Sequence, residues 1–149
     1  MHLSLNICCR KSPLRTQKDI KALLKGLKNG TIDAITSDHN PIDIENKKIE
    51  FDHALYGSIG LESCYGALNN ILDLETSIDL LTGLKKEFSI ESYSLEKGSK
   101  ADITLFNPNT EWTFTEKDIY SSSKNAALLN NTLKGKVYGV FANNKLVLN

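Results

Sequence analysis

A short apolar run that ends in an acid and an imidazole constrains this chain more than any other feature. Residues 32–37 (Ile-Asp-Ala-Ile-Thr-Ser) read as a buried strand, and Asp38, His39 and the helix-breaking Pro41 follow directly. Barrels of alternating strands and helices present catalytic groups in this way, at the carboxyl ends of their parallel strands. The run therefore predicts that Asp38 and His39 lie at the open end of a parallel sheet.

The residues before this run predict a strand–helix–strand unit. Residues 3–9 read as a strand, and Thr16 with Asp19 three positions later has the spacing of a capping box. Apolar residues then follow at the spacing of one helical face, at Ile20, Leu23, Leu24 and Leu27. Gly30 is placed to end that helix, and a strand at 31–36 completes a βαβ unit, which implies a parallel sheet.

Further along the chain, the spacing of apolar residues predicts first two successive helices and then a series of strands. Two helices are predicted at about 59–72 and 77–88, with no strand between them. From residue 99 the pattern favours strands, at 101–106, 111–115, 136–142 and 145–148. A turn is predicted at 107–109 and a two-residue hairpin at Asn143-Asn144. The chain is thus predicted to be α/β, with an alternating part at 1–95 and a β-rich part at 96–149.

Composition narrows the class of protein. The chain has 149 residues, whereas a whole α/β barrel needs about 250, so only part of a barrel fits. Eighteen basic residues balance eighteen acidic ones, which argues against nucleic acid and anionic membranes as partners. No apolar run reaches the roughly 18 residues of a membrane helix. Three cysteines without a pairing framework, and no secretory leader, predict a cytoplasmic protein.

Several stretches, taken in order, carry a family resemblance. They are residues 12–15 (Ser-Pro-Leu-Arg), 26–39 (ending in Ser-Asp-His), 57–62 (Gly-Ser-Ile-Gly-Leu-Glu), 98–103 and 133–137. Together they resemble the C-terminal portion of the dihydroorotases, which belong to the cyclic-amidohydrolase branch of the metal-dependent amidohydrolases. The resemblance implies strands seven and eight of a TIM-type (β/α)8 barrel with their helices in residues 1–95. It implies strands of a small sandwich domain in residues 96–149.

The resemblance also implies a chemistry. Dihydroorotases interconvert carbamoyl-aspartate and dihydroorotate in de novo pyrimidine biosynthesis, with zinc as the metal cofactor. Asp38 would be both a metal ligand and the catalytic proton carrier, while Arg15 and His39 would bind substrate. Zinc lowers the pKa of a bound water to about 7, and a carboxylate beside it can take up the released proton and pass it on.

Departures from the family pattern matter as much as the matches. The family's Asp-His-Ala-Pro-His reads Asp-His-Asn-Pro-Ile here, so Ile42 replaces a histidine that contacts substrate. Lys11 stands where the family commonly has a substrate-holding asparagine. The remaining metal ligands of the family lie upstream of the resembling stretch, and the histidines here are only His2, His39 and His53. One aspartate alone does not make a zinc site.

Each candidate residue also has a plain structural interpretation. Asp38 could be a turn aspartate that bonds nearby backbone amides, and His39 could be a packed neighbour of the site. Arg15 could grip a substrate carboxylate or could be a charge beside a helix. His53 fits a loop and Glu62 fits the first turn of a helix, while Trp112 and Phe114 are expected in the core.

Two functions from different classes remain open on the sequence. In the first, the chain is the C-terminal portion of a dihydroorotase-like hydrolase and is inactive alone, as part of a longer reading frame or as a remnant. Its partners would be a small-molecule substrate and the missing N-terminal barrel portion, or further copies of itself. In the second, it is a non-catalytic homologue that serves as a structural partner, for example of aspartate transcarbamoylase. A hydantoin- or allantoin-cleaving enzyme fits the motifs less closely.

Overall fold

The computed structural model describes residues 16–149, so the predicted strand at 3–9, Lys11 and Arg15 lie outside the described residues. Helices dominate the first half and one antiparallel sheet the second: α1 (Gln17–Lys28), α2 (Leu61–Asn69), α3 (Leu74–Thr82), α4 (Leu84–Glu87), β1 (Ile103–Thr113), β2 (Thr132–Ala142) and β3 (Lys145–Leu148). Single 3₁₀ turns lie at Ile44–Asn46, Phe51–His53 and Glu116–Asp118. Within the described range, no helix is long and apolar enough to cross a membrane.

Helix α1 forms as predicted, because its end signals are local. The Thr16 side chain accepts a hydrogen bond from the Asp19 amide, and the Asp19 carboxylate accepts one from the Thr16 amide. Gly30 follows the C-cap with a φ of 72°, a conformation in which glycine carries no Cβ penalty. None of the residues of α1 is buried, and Leu23 is 52 % exposed. The predicted apolar face is therefore covered only in part.

The predicted strand at 31–36 is not a regular strand in the described structure. The Ile35 amide donates to the Leu80 carbonyl in helix α3 rather than to a strand neighbour. A strand is defined by ladder partners, and the candidate partner at 3–9 lies outside the described residues. Isolated parallel bridges do join His39 to Ser58 and Ile59 to Ala126.

The next helices are shorter than the sequence predicts. Asp73 caps α3 by accepting a hydrogen bond from the Thr76 amide, so this helix begins three residues before the predicted start at Ser77. The predicted helix at 77–88 is interrupted at Gly83, which separates α3 from α4. A Cβ at Gly83 would lie 2.6 Å from the Asp33 carbonyl oxygen, so the chain passes too closely there for any other residue.

The sheet has the order β1-β2-β3 and is antiparallel throughout. The predicted turn at 107–109 is wrong, because β1 runs through these residues with irregular register between Asn107 and Glu111. Pro108 is tolerated because β1 is an edge strand with an irregularity at that point. The hairpin at Asn143-Asn144 is confirmed, and both residues have positive φ, 50° and 58°, as a tight two-residue turn requires.

Two apolar clusters hold the helices and the sheet together. Phe114, 0 % exposed, and Leu133, 2 % exposed, pack with Ile59 and Ile119 in the larger cluster. The smaller one joins Leu68, Leu72 and Leu80, with Leu24 and Leu27 of α1 against its side. Because Ile59 and Leu133 share a core, apolar packing crosses the predicted boundary at 95/96, and that boundary stays a prediction.

Candidate functional site

Asp38 lies in the segment without regular secondary structure that follows α1, directly before His39. Its φ is 46°, in the left-handed region that aspartate enters more readily than most residues. Its backbone amide donates to the Thr36 hydroxyl at 3.2 Å, which holds this turn, and the residue is exposed. The carboxylate of Asp38 is thus displayed to solvent from a fixed backbone.

His39 is held by both of its ring nitrogens. Nδ1 accepts hydrogen bonds from the backbone amides of Gly60 and Leu61, each at 3.2 Å. Nε2 lies 3.3 Å from the Ser121 hydroxyl. A nitrogen that accepts two N–H groups carries no proton, so these partners assign the neutral ring with its proton on Nε2. His39 thereby ties the end of the Asp38 segment to the first turn of α2.

Glycines allow the close approach that this contact needs. A Cβ at Gly60 would lie 2.7 Å from the Ser37 carbonyl oxygen, and one at Gly57 would lie 2.6 Å from the Ile42 side chain. Gly57 also has a φ of 148°, which side chains rarely allow. The glycine spacing at 57–60 is therefore explained by the contact between two backbone segments.

Ser121 and Glu62 extend the network from His39. The amide and the hydroxyl of Ser121 both donate to Oε1 of Glu62. The Glu62 side chain is only 12 % exposed. Burial by itself raises the pKa of this carboxyl, but hydrogen bonds from Ser121 and from the backbone amide of Glu62 itself, with a smaller contribution from nearby His39, leave the pKa below its usual value. Glu62 is thus an anchored carboxylate, which goes beyond the first-turn role expected from sequence.

The segment at 121–127, called the strap below, binds the loops around the site through several further contacts. The Ser123 hydroxyl donates to the Ile42 carbonyl at 2.7 Å, and the Asn125 amide group donates to the Gly57 carbonyl at 2.8 Å. The Ile59 amide donates to the Asn125 carbonyl. Sequence reasoning missed the strap. Its signal was a polar run, Ser-Ser-Ser-Lys-Asn at 121–125, directly after Ile119 and Tyr120.

The proton positions limit what this network can do. Because Nδ1 accepts from two amides, a neutral His39 ring carries its proton on Nε2, facing the Ser121 oxygen, while the Ser121 hydroxyl donates to Glu62. His39 therefore cannot act as a base toward Ser121, although serine, histidine and an acid are adjacent. The network is a rigid support, and Asp38 is the exposed ionisable group beside it.

A metal would find a single candidate ligand at this place. Among residues 16–149 there is no group of three or more histidine, cysteine, aspartate or glutamate side chains that could hold a metal ion. Both His39 nitrogens are occupied by protein partners. The part of the chain that the structure describes does not by itself fit a zinc site, which needs three or four ligands.

The remaining residues singled out from the sequence are Arg15, His53, Trp112 and Phe114. Arg15 lies outside the described residues, so its substrate-binding role stays a prediction, as does that of His39. His53 is exposed with its Nε2 3.8 Å from the Glu50 carboxylate, in agreement with a loop position. Phe114 is buried in the core as predicted, whereas Trp112 is half-buried and packs edge-on against it with ring centres 5.9 Å apart.

Comparison with known sequences gives a consistent result. The chain is 34 % identical over 145 residues to a dihydroorotase of Chlorobaculum tepidum, which covers 93 % of this chain and 33 % of the relative. It is 35 % identical over 143 residues to a dihydroorotase of Elusimicrobium minutum, with 91 % and 33 % covered. The chain spans about a third of the length of these curated relatives. No protein-family model matches it.

Comparison with solved structures gives the fold. The D-hydantoinase (dihydropyrimidinase) of a Thermus species superposes with a TM-score of 0.81 over 95 % of this chain and 33 % of its own, at 24 % identity. The L-hydantoinase (dihydropyrimidinase) of Arthrobacter aurescens gives a TM-score of 0.77 over 94 % and 34 %, at 21 % identity. The described fold is that of one third of these proteins.

Proposed function

We propose that this chain, a homologue of the dihydroorotases over about one third of their length, contributes the strand-end aspartate to a hydrolase of cyclic amides. The observation that carries the proposal is Asp38 itself: an exposed carboxylate on a left-handed turn, next to a histidine fixed by three hydrogen bonds. Dihydroorotate is the proposed substrate, because the similar sequences bear that enzyme's name.

The chemistry assigned to Asp38 is proton transfer. Opening a cyclic amide requires that water lose a proton as it attacks the carbonyl and that the ring nitrogen gain one as it leaves. A carboxylate placed beside both atoms can accept the first proton and return it to the nitrogen. A fixed backbone at Asp38 serves this role, since proton transfer requires the two groups to stay within hydrogen-bond reach.

The remaining parts of the site would come from outside the described residues. One carboxylate supplies at most one ligand to the zinc that the resemblance implies, so Asp38 would bind that metal only together with ligands from elsewhere. We propose that residues 1–95 form the C-terminal part of a barrel that the equivalent of the other two thirds of a dihydroorotase completes. That partner, joined in the same chain or bound separately, would supply the other ligands, and Arg15 would bind substrate carboxylate.

Complementation tests the proposal directly. The chain would be co-expressed with the non-matching two thirds of the Chlorobaculum tepidum dihydroorotase, and dihydroorotate ring opening would be assayed. The relative's own matching third serves as the positive control. Turnover is expected with the intact chain. Asp38→Asn should retain the complex but lower kcat by about 10² to 10⁴, because the amide cannot accept a proton.

Metal analysis of the same samples adds a second measurement. The dialysed chain alone is expected to hold no stoichiometric zinc. The complex is expected to bind zinc, and Asp38→Ala should weaken that binding. Turnover of Asp38→Asn within tenfold of the parent, or tight zinc in the chain alone that depends on Asp38, would contradict the proposed role.

Ile42 favours a second candidate function, that of a non-catalytic homologue in an assembly with another subunit. Its side chain lies against Gly57, where a Cβ would come within 2.6 Å, and its carbonyl accepts from Ser123. An apolar side chain at this loop offers a substrate neither donor nor acceptor. A complex that forms in the complementation experiment without turnover, while the positive control is active, would favour this function.

A further inference from the structure

The strap brings one side chain to the candidate site from far along the sequence. Ser121 lies 82 residues after His39, yet its hydroxyl is 3.3 Å from Nε2. The same hydroxyl donates to Glu62, which begins the first turn of α2 together with Leu61. Ser121 therefore closes a ring of contacts through His39, the first turn of α2 and Glu62.

One arrangement of protons makes each of these contacts a hydrogen bond. Glu62 is an acceptor only, because its carboxyl is ionised, so Ser121 must give its proton to Glu62. The Ser121 oxygen is then left to accept, and the group within reach is Nε2–H of His39. Because the ring proton is on Nε2, the unprotonated Nδ1 can accept hydrogen bonds from the amides of Gly60 and Leu61.

We propose that Ser121 is a positioning residue for Asp38. By selecting the tautomer of His39, its hydroxyl allows Nδ1 to hold the first turn of α2, and this fixes the backbone that immediately follows Asp38. The inference rests on the proposed function only for the consequence on turnover, since the tautomer itself can be measured without any reaction.

The small number of histidines makes the tautomer of His39 directly measurable. The chain has only three histidines, so replacing His2 and His53 with glutamine leaves His39 as the single imidazole. Nitrogen-15 NMR of that full-length chain at neutral pH distinguishes a protonated from an unprotonated ring nitrogen. The expected result is a proton on Nε2, none on Nδ1, and slow exchange of the Gly60 and Leu61 amides.

Variants at Ser121 then separate selection of the tautomer from general stability. Ser121→Ala is expected to give a mixture of tautomers and about tenfold faster exchange of the Gly60 and Leu61 amides, since a hydrogen bond of each is weakened. Ser121→Thr keeps a hydroxyl and should restore both readouts. Ser122→Ala, at the exposed neighbouring serine, is the matched control and should change neither.

In the complemented enzyme, Ser121→Ala should lower kcat more than it changes KM, because Asp38 loses its fixed position while Ser121 itself is proposed for no substrate contact. A proton on Nδ1 of His39 in the otherwise intact chain would overturn the proposal, whether or not Ser121→Ala folds. An unchanged tautomer in a folded Ser121→Ala chain would also overturn it. Absence of turnover in every sample, with the NMR results as expected, would count against the proposed function and leave the tautomer selection established.

Discussion

The sheet region, defined as α2 with residues 103–142, and the leading segment at 17–58 use apolar residues very differently. In the sheet region, Phe114 and Leu133 are almost completely buried, and α2 packs directly on β2 through Gly66. In the leading segment, α1 has no buried residue, and Leu23, Ile44, Ile49 and Leu55 are about half exposed. Both parts have comparable apolar patterns in sequence, so the difference lies in the partners available to cover them.

This contrast fits the length comparison. The chain spans about a third of the length of its relatives, and in them the equivalent third is part of a longer chain. A parallel barrel strand is normally covered on both sides, whereas an antiparallel hairpin can be complete with one covered face. The sheet region is antiparallel, and the proposal that the leading segment belongs to a parallel barrel would explain why its apolar residues are exposed.

The largest expected effect comes from making the same truncation in both regions. Leu133→Ala should destabilise the chain by about 2–5 kcal/mol, because it removes a buried side chain and leaves a cavity. Leu23→Ala in α1 should change the free energy of unfolding by no more than about 0.5 kcal/mol. Denaturant unfolding of both variants measures the difference. Equal losses would show that α1 is as well covered as the sheet region.

Glycine-to-alanine changes in two helices give a smaller contrast. A Cβ at Gly66 in α2 would lie 2.9 Å from Cβ of Leu133, which cannot move without shifting β2, so Gly66→Ala should cost about 1–3 kcal/mol. A Cβ at Gly26 in α1 would meet the tip of Ile32 at 3.1 Å, and that tip can rotate away. Gly26→Ala should be neutral or stabilise by up to about 1 kcal/mol through helix propensity. A destabilised Gly26→Ala chain would mean that the leading segment is rigidly packed.

The contacts of Glu62, which join the two regions, should contribute less to the stability of the chain at acidic pH. The pKa of Glu62 is lowered in the folded chain, so its contribution to stability is present above the unfolded pKa of about 4.3 and is lost as pH falls through the folded value. Glu62→Gln should remove this part of the pH dependence. Glu45→Gln, at an exposed glutamate in the 3₁₀ turn Ile44–Asn46, is the control and should retain it. Thermal melting from pH 5 to 3 measures both, and identical profiles would argue against an anchored carboxylate at Glu62.

Sequence predicted the elements whose signals are local and missed those that depend on distant partners. The capping box of Thr16 and the Asn143-Asn144 turn each lie within a few residues, and both formed as predicted. Asn107 and Pro108 are residue types that favour turns, but the pairing of β1 with β2 makes them part of one irregular strand. The break at Gly83 follows from the approach of Asp33, fifty residues earlier in the chain.

In the candidate site, too, the residues with local sequence signals were predicted and the distant contacts were not. Asp38 and His39 could be selected from sequence because an apolar run leads directly to them. The contacts that fix His39 could not, because the amides of Gly60 and Leu61 carry no side-chain signal and Ser121 is far along the chain. The roles of Asp38, His39 and Arg15 in catalysis and binding stay predictions.

The smallest effect, and the most local, is expected at the start of α1. Thr16→Ala removes the side-chain acceptor of the Asp19 amide and one half of the capping box, a change that costs a helix about 1 kcal/mol. Because no residue of α1 is buried, this loss should appear as faster amide exchange within residues 17–20 and leave the global unfolding midpoint nearly unchanged. Thr16→Ser, which keeps the hydroxyl, should behave as the parent. If Thr16→Ala lowers the global midpoint by the full amount, α1 unfolds together with the sheet region, and the contrast between the two regions does not extend to their stability.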